Sequence, residues 1–131
     1  MTIKRVTPEE ALRMVQDEGY VYLDVRSVPE FDGGHPEGAY NVPFMKMTPA
    51  GMKPNLRFLE EVAHKFGKTE KLILGCKSGG RSARAAAALA QVGYEALADQ
   101  HGGFDAWGPK GHPVSKSADG RGYRDIVEDQ G

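Results

Sequence analysis

The sequence has very little cysteine, since Cys76 is the only one among its 131 residues. One cysteine cannot form an internal disulfide, so a stapled fold is excluded. It also leaves no second thiol to resolve a disulfide-linked intermediate, which an outside thiol would have to do. The four histidines are scattered, so no zinc-ligand spacing is present. We therefore expect neither a metal nor a cofactor.

Charge of one sign and long apolar runs are also missing. The formal net charge is -1, which argues against nucleic acid as a partner and against attraction to an anionic membrane. No apolar run approaches the roughly 18 residues of a membrane span. Residues 1–10 lack the apolar core of a signal peptide, and their acidic pair argues against a transit peptide. We expect a cytoplasmic protein, or an organelle-stromal one if a targeting segment was removed.

Helical and strand patterns alternate along the chain. Thr7 is placed to cap a helix that starts at Pro8 and stops before Gly19. The patterns then predict strands at 20–25, 39–42, 71–75 and 95–98, helices at 27–31, 55–66, 82–91 and 102–107, and loop or irregular chain at 33–38 and 44–54. This alternation is typical of an α/β domain with a mostly parallel sheet. Ligands bind such sheets beyond the carboxyl ends of the strands.

The domain is expected to span residues 1–114. Residues 115–131 mix charges with glycine and carry little apolar material. We expect them to form a flexible or loosely docked tail.

Residues 76–82, here called the cysteine loop, connect the strand at 71–75 to an alanine-rich helix. Gly79 and Gly80 allow the backbone to curl so that several N–H groups point at one spot, which suits an anion or a negatively charged sulfur. The positive end of the helix adds to this field and favours the reactive thiolate of Cys76. The alternative interpretation is an inert, buried cysteine.

Three cations accompany the loop, and they strengthen the catalytic interpretation. Lys77 and Arg81 lie within it, and Arg84 falls in the first turn of the next helix. Cations near a helix N-terminus add to its positive potential instead of compensating it, which is unfavourable unless an anion binds there. Lys77 and Arg84 can equally be solvated surface charges, whereas the position of Arg81 between the glycines and Ser82 favours a role in the loop.

The length of the loop separates two cysteine chemistries. Cysteine-dependent phosphatases place five residues between cysteine and arginine, whereas this chain has only the four residues Lys77 to Gly80. The pattern Cys-x-x-Gly-x-Arg resembles the active-site loop of the rhodanese family of sulfurtransferases. Two further stretches are similar to the signatures of that family: Leu23-Asp-Val-Arg26 through Gly34-His35 to Pro43, and Gly102-Gly103-Phe-Asp-Ala-Trp107 with Gly111 and Pro113.

The resemblance implies a three-layer α/β/α fold around a sheet of roughly five strands. It also implies transfer of a sulfane sulfur from a small anion such as thiosulfate, through a Cys76 persulfide, to cyanide, a thiol, or a thioredoxin-like or other protein thiol. By position, Cys76 would be the nucleophile, and Lys77 and Arg81 would attract the donor. The persulfide would be surrounded by the backbone N–H groups of Lys77, Ser78, Gly79, Gly80, Arg81 and Ser82.

Two other functions stay open at this point: a phosphatase or arsenate reductase on the same scaffold, and a binding or persulfide-relay module that serves a protein partner. Asp24 is expected to pair with Arg26 or Arg81 and to fix the loop. His35 is expected to tie its own loop by hydrogen bonds. The methionines of the segment 44–54 offer an adaptable partner surface or merely loose packing.

Overall fold

The computed structural model describes residues 3–117 and 120–123. Its strands are β1 (Lys4–Val6), β2 (Val21–Asp24), β3 (His35–Pro36), β4 (Tyr40–Asn41), β5 (Met45–Thr48), β6 (Gly51–Pro54), β7 (Lys71–Gly75), β8 (Ala96–Gln100) and β9 (Val114–Ser115). Its helices are α1 (Pro8–Asp17), α2 (Val28–Asp32), α3 (Phe58–Lys65), α4 (Gly80–Gln91) and α5 (Gly103–Trp107), the last followed by a 3₁₀ turn (Gly108–Lys110). No helix in the described ranges has the length and apolar character to cross a membrane.

Five parallel strands form the central sheet in the order β1-β8-β7-β2-β4. The predicted α/β class and the mostly parallel sheet are therefore confirmed. The edge strand β1 was not predicted from the sequence. It has three residues, of which only Val6 is buried, so it carries neither the length nor the alternation by which a strand is recognised.

Helices cover both faces of the sheet. Along β7 the side chains alternate, so that Leu72 and Leu74 pack into the cluster with α3 and α4, whereas Ile73 packs into the cluster with α1 and α5. Trp107 is buried in the second cluster, against Tyr22. The architecture is the three-layer α/β/α arrangement that the resemblance implied.

The segment 44–54 corrects the sequence-based prediction. It was expected to be irregular, but β5 and β6 pair antiparallel as a hairpin. Methionine, lysine and glycine have no marked strand preference, so the pattern did not reveal it. The loop predicted at 33–38 also contains β3, which pairs with β9.

Two helix starts also differ from the prediction. Helix α3 begins at Phe58, because Asn55 accepts a hydrogen bond from the backbone N–H of Arg57 (3.1 Å) and forms a turn before the helix. Leu56, expected on the apolar face, is 92% exposed. Helix α4 begins at Gly80, so that Ser82 lies inside its first turn.

The predicted tail at 115–131 lies partly outside the described residues, which omit 118–119 and 124–131. Its described part contacts the domain. Ser115 belongs to β9, and the N–H of Asn41 donates to the carbonyl of Arg121 (3.0 Å). Tyr123 donates from its hydroxyl to the buried carboxylate of Glu61 (2.6 Å). These contacts place residues 121–123 along the β4 edge of the sheet.

Candidate active site

Cys76 follows the last residue of β7 and lies at the carboxyl end of the sheet, as the alternation of strands and helices predicted. Its side chain is 2% exposed. The Sγ atom accepts a hydrogen bond from the N–H of Gly79 (3.0 Å). Gly79 has a φ of 126°, which side chains with a Cβ rarely adopt. The loop therefore curls back on the sulfur because glycine occupies this position.

The start of α4 supplies further donors to the same region. The first helical hydrogen bond runs from the N–H of Ala83 to the carbonyl of Gly79 (3.2 Å). The N–H groups of Gly80, Arg81 and Ser82 precede this bond, so they have no partner within the helix and form its positive end. This arrangement suits a negative charge on, or bound beside, the sulfur.

Helix α5 supports the cysteine loop through two backbone hydrogen bonds. The carbonyl of Cys76 accepts from the N–H of Phe104 (2.7 Å), and the carbonyl of Lys77 accepts from the N–H of Asp105 (2.9 Å). A Cβ on Gly103 would lie 2.2 Å from the carbonyl oxygen of Cys76, so only glycine fits there. The sequence marked Gly102-Gly103 only as the start of a helix, and its support of the cysteine loop was missed.

Arg81, in the first turn of α4, contacts α2 through Glu30. Its two terminal nitrogens donate to the two carboxylate oxygens of Glu30 at 2.8 and 3.0 Å. The bond to Arg81, with donation from Ser27, lowers the pKa of Glu30 to about 2 despite partial burial. Glu30 was not predicted as a site residue, because its partner lies 51 positions away in the sequence.

The other two cations are exposed. Lys77 donates to the carboxylate of Asp105 at 3.2 Å, with both side chains more than half exposed, and such pairs are weak. Ser78, next to it, is exposed as well. Arg84 lies over the ring of Phe44, 5.8 Å from its centroid. Because the pair of Lys77 with Asp105 is exposed and weak, Lys77 can turn toward an incoming anion at little energetic cost.

Asp24 pairs with Arg26, one of the two partners expected for it, through a contact of 2.7 Å. Arg26 also donates to the carbonyl of Gly34 (2.6 Å). Burial raises the pKa of the Asp24 carboxyl even though Arg26 opposes that effect. The two ring nitrogens of His35 lie 2.8 Å from the carbonyl oxygen of Phe31 and 3.0 Å from that of Ser117. The N–H of the ring can donate to one of them and so tie the loop, as expected.

A polar chain runs from the sulfur into the protein on the side of β8. Ser82 Oγ lies 3.5 Å from Cys76 Sγ and donates to Asp99 Oδ1 at 2.6 Å. Burial raises the pKa of the Asp99 carboxyl, although Ser82 and Arg5 oppose that effect. Asp99 was missed in the sequence, where it is one acidic residue at the end of a short strand.

Two cavities of the described structure do not include Cys76 in their lining. One of about 190 Å³ is lined by Ile3, Arg5, Ala83 and Asp99 and lies behind the cysteine loop. A larger one, of about 290 Å³, lies on the α1 and α5 face and includes Trp107 among its lining residues. In the ranges 3–117 and 120–123, no three His, Cys, Asp or Glu side chains come together as metal ligands.

The chain is similar in sequence to a known protein family and to individual known proteins. The model of the Rhodanese-like domain matches residues 7–110. Thiosulfate sulfurtransferase 16, chloroplastic, from Arabidopsis thaliana is 45% identical over 96 residues, which are 73% of this chain and 80% of that protein. The protein HIGH ARSENIC CONTENT 1, mitochondrial, from the same plant is 44% identical over 89 residues, 68% of this chain and 53% of that protein.

The fold comparison agrees with the sequence comparison. The crystal structure of Rv0390 from M. tuberculosis superposes with a TM-score of 0.76 at 23% identity and covers 89% of this chain and all of that one. At this identity the likeness concerns the fold alone.

Proposed function

Because the chain belongs to the rhodanese-like domain family, we propose that it is a sulfurtransferase that carries a sulfane sulfur on Cys76, with thiosulfate or a similar small anion as the donor. The observation that carries this proposal is the Gly79 N–H on Sγ (3.0 Å) at the positive end of α4. A nucleophile with anion-stabilising donors directed at it is what such a transfer requires. The thiosulfate sulfurtransferase among its relatives supports the same choice.

The first half-reaction is a displacement at sulfur. The thiolate of Cys76 attacks the outer sulfur of thiosulfate, a new S–S bond forms, and sulfite leaves with the electron pair of the broken bond. The product is a persulfide whose terminal sulfur carries the negative charge. The N–H groups of Gly80, Arg81 and Ser82 precede the first helical bond and are the donors for that charge.

A positive electrostatic potential near Cys76 would attract the donor anion, and the cations of the cysteine loop provide it. Lys77 is exposed and only weakly held. Arg81 is paired with Glu30. Its positive charge is therefore partly neutralised, but its guanidinium can still interact with an anion. We assign Lys77 to attracting the donor and Arg81 to fixing the loop and orienting the anion.

The second half-reaction passes the sulfur to an acceptor. An outside thiol or cyanide attacks the terminal sulfur, and the thiolate of Cys76 leaves. Since Cys76 is the only cysteine among these 131 residues, we assign the acceptor role to a thiol outside them or to cyanide. A thioredoxin-like protein or another protein thiol fits this role, and so does a small thiol.

The test is a turnover assay with thiosulfate, mercaptopyruvate and glutathione persulfide as donors and cyanide as the acceptor. The proposal predicts thiocyanate from at least thiosulfate, and none from the Cys76→Ser variant. Absence of thiocyanate with all three donors would refute it in this form.

A second candidate is chemistry on arsenate or phosphate, since one relative is named for arsenic content. The four residues between Cys76 and Arg81 disfavour it, because cysteine-dependent phosphatases place five residues between the cysteine and the arginine. An aryl phosphate and arsenate, assayed beside the sulfur donors, would distinguish the two. A persulfide-relay module would instead form a persulfide and turn over only with its protein acceptor.

Several relatives carry chloroplastic in their names, so we propose an organelle stroma or the cytoplasm as the location. Fluorescence of a tagged full-length protein in the source cell tests it.

A further inference from the structure

The polar chain at Cys76 consists of three residues: Cys76 directly after β7, Ser82 in α4 and Asp99 in β8. The Sγ to Oγ distance is 3.5 Å and the Oγ to Oδ1 distance is 2.6 Å. All three residues are buried, and Asp99 also lines the cavity of about 190 Å³ beside Arg5. We infer that Asp99, acting through Ser82, stabilises the thiol form of Cys76 and thereby tunes its reactivity as a positioning residue.

The direction of the effect follows from counting protons. A serine hydroxyl has one proton to donate and lone pairs that accept. When Asp99 is ionised it can only accept, so the Ser82 proton lies on the short bond to Asp99. The oxygen then presents a lone pair to the sulfur, to which a thiol can donate and a thiolate cannot. Hydrogen bonding to the neutral form of a group disfavours its charged form.

The direction of hydrogen-bond donation from Asp99 through Ser82 to the sulfur reverses when Asp99 takes up a proton. The carboxylic acid then donates to Ser82, and the Ser82 hydroxyl turns to donate to the sulfur, which favours the thiolate. Burial raises the pKa of Asp99, so the reversal occurs at a higher pH than it would with an exposed carboxyl group. The carbonyl of Gly79, 3.2 Å from Oγ, also competes for the Ser82 proton, but at the longer distance.

Other charged and titratable groups surround the pair on each element packed against it. Arg5 on β1 lies 3.9 Å from the Asp99 carboxylate, and His101 follows on the β8 side. The groups that interact with Cys76 electrostatically are Arg81 on α4 and Tyr22 on β2. Tyr22 donates to Gln100. None of them contacts Ser82 Oγ, so the hydroxyl is governed by Asp99.

The consequence for sulfur transfer rests on the proposed function. In the persulfide the inner sulfur of Cys76 has no hydrogen, so the lone pair of Ser82 faces another lone pair. Ionised Asp99 therefore disfavours the loaded state relative to the thiol. The charge on Asp99 sets the fraction of the protein that carries a sulfur at equilibrium with a persulfide donor.

The test is the pH dependence of the ultraviolet absorbance of the thiolate, with Cys76→Ser subtracted. It needs no sulfur donor, so it stands if the proposed function fails. Asp99→Asn keeps the shape but can donate from its amide to Ser82. We expect the midpoint of the Cys76 signal to move down by about 0.5 to 1 pH unit. An unchanged or higher midpoint would overturn the inference.

Two further variants separate the hydrogen-bond chain from charge alone. In a Ser82→Ala background, Asp99→Asn should shift the midpoint by less than half as much; an equal shift would mean that Asp99 acts through space and would refute the role of Ser82. Arg5→Gln alters an exposed side chain and leaves Asp99 more easily protonated. If Asp99 acts through Ser82, this variant should have a larger thiolate fraction of Cys76 near pH 6. If only the loss of a nearby cation matters, the thiolate fraction should be smaller.

Glu95→Gln is the matched control, since Glu95 is an exposed carboxylate just before β8, and we expect no shift. The loaded protein provides a second readout. In an equilibrium with glutathione persulfide and glutathione, Asp99→Asn should raise the ratio of persulfide to thiol at Cys76 about fivefold. A lower ratio would contradict the consequence for transfer, while the absorbance titration would still decide the protonation claim.

Discussion

Two arginine–carboxylate pairs lie at the carboxyl end of the sheet, and they differ in burial. In Arg26–Asp24 the side chains are 5% and 2% exposed, whereas in Arg81–Glu30 they are 14% and 24% exposed. Arg26 also donates to the carbonyl of Gly34, so its donors are used within the fold. Arg81 belongs to the cysteine loop itself and is partly exposed. The same chemistry thus holds the architecture in one place and shapes the site in the other.

The difference predicts where each pair matters. A buried pair contributes little by existing and much if only one partner is removed, because the remaining charge is left without compensation. A pair at the rim of a site has water to replace its contacts, so its loss changes the site more than the fold. Variants of the two pairs should therefore separate stability from activity.

The largest effect is expected for Asp24→Asn. It leaves the buried guanidinium of Arg26 without its counter-charge, and such losses cost about 3–5 kcal/mol. Urea unfolding of the full chain measures it. The control is the double change Asp24→Leu with Arg26→Met, which removes both charges and should recover part of the loss. A single variant as stable as the parent would show that the pair does not hold the fold.

The second effect is on catalysis. Arg81→Ala removes the guanidinium beside the loop and should lower kcat/KM with thiosulfate on the order of 10²-fold. Its free energy of unfolding should fall by about 1 kcal/mol. Arg81→Lys keeps the charge but not the two-pronged contact with Glu30, so it should recover only part of the activity. If Arg81→Ala lost stability as severely as Asp24→Asn, the distinction between the two pairs would collapse.

The sequence revealed one of these pairs more readily than the other, for a physical reason. Asp24 ends β2 and Arg26 lies two positions later, so their pairing is a local property. Glu30 and Arg81 are brought together only by the sheet order, over 51 positions. The strand at 71–75 and the glycine turn were likewise predicted from local pattern, whereas β1, the Gly103 support and the Asp99 contact depend on tertiary neighbours.

The third effect sharpens the role of Glu30. Glu30→Gln frees Arg81 from its counter-charge and should lower KM for an anionic donor about threefold, with a stability loss of about 1 kcal/mol. The pKa of Glu30 is lowered from 4.5 to about 2, so the wild-type advantage is present above about pH 4.5 and is lost as the pH falls toward 2. Unfolding of both proteins across that range measures it; an advantage that grew on acidification would contradict the pairing.

The smallest effect is expected at the exposed pair of Lys77 and Asp105. Lys77→Gln removes one cation from the approach to the sulfur, so KM for thiosulfate should rise about two- to fivefold while kcat stays the same. Asp105→Asn is the matched control and should leave KM equal or lower. A loss of kcat in Lys77→Gln would assign that side chain to the reaction itself.

The most direct measurement of the central claim is the intact mass of the protein after incubation with thiosulfate and removal of excess donor. The account predicts the gain of one sulfur atom per chain for the wild type, lost again on addition of cyanide, and no gain for Cys76→Ser. A wild-type protein that gains no sulfur, or a Cys76→Ser variant that gains as much, would contradict it.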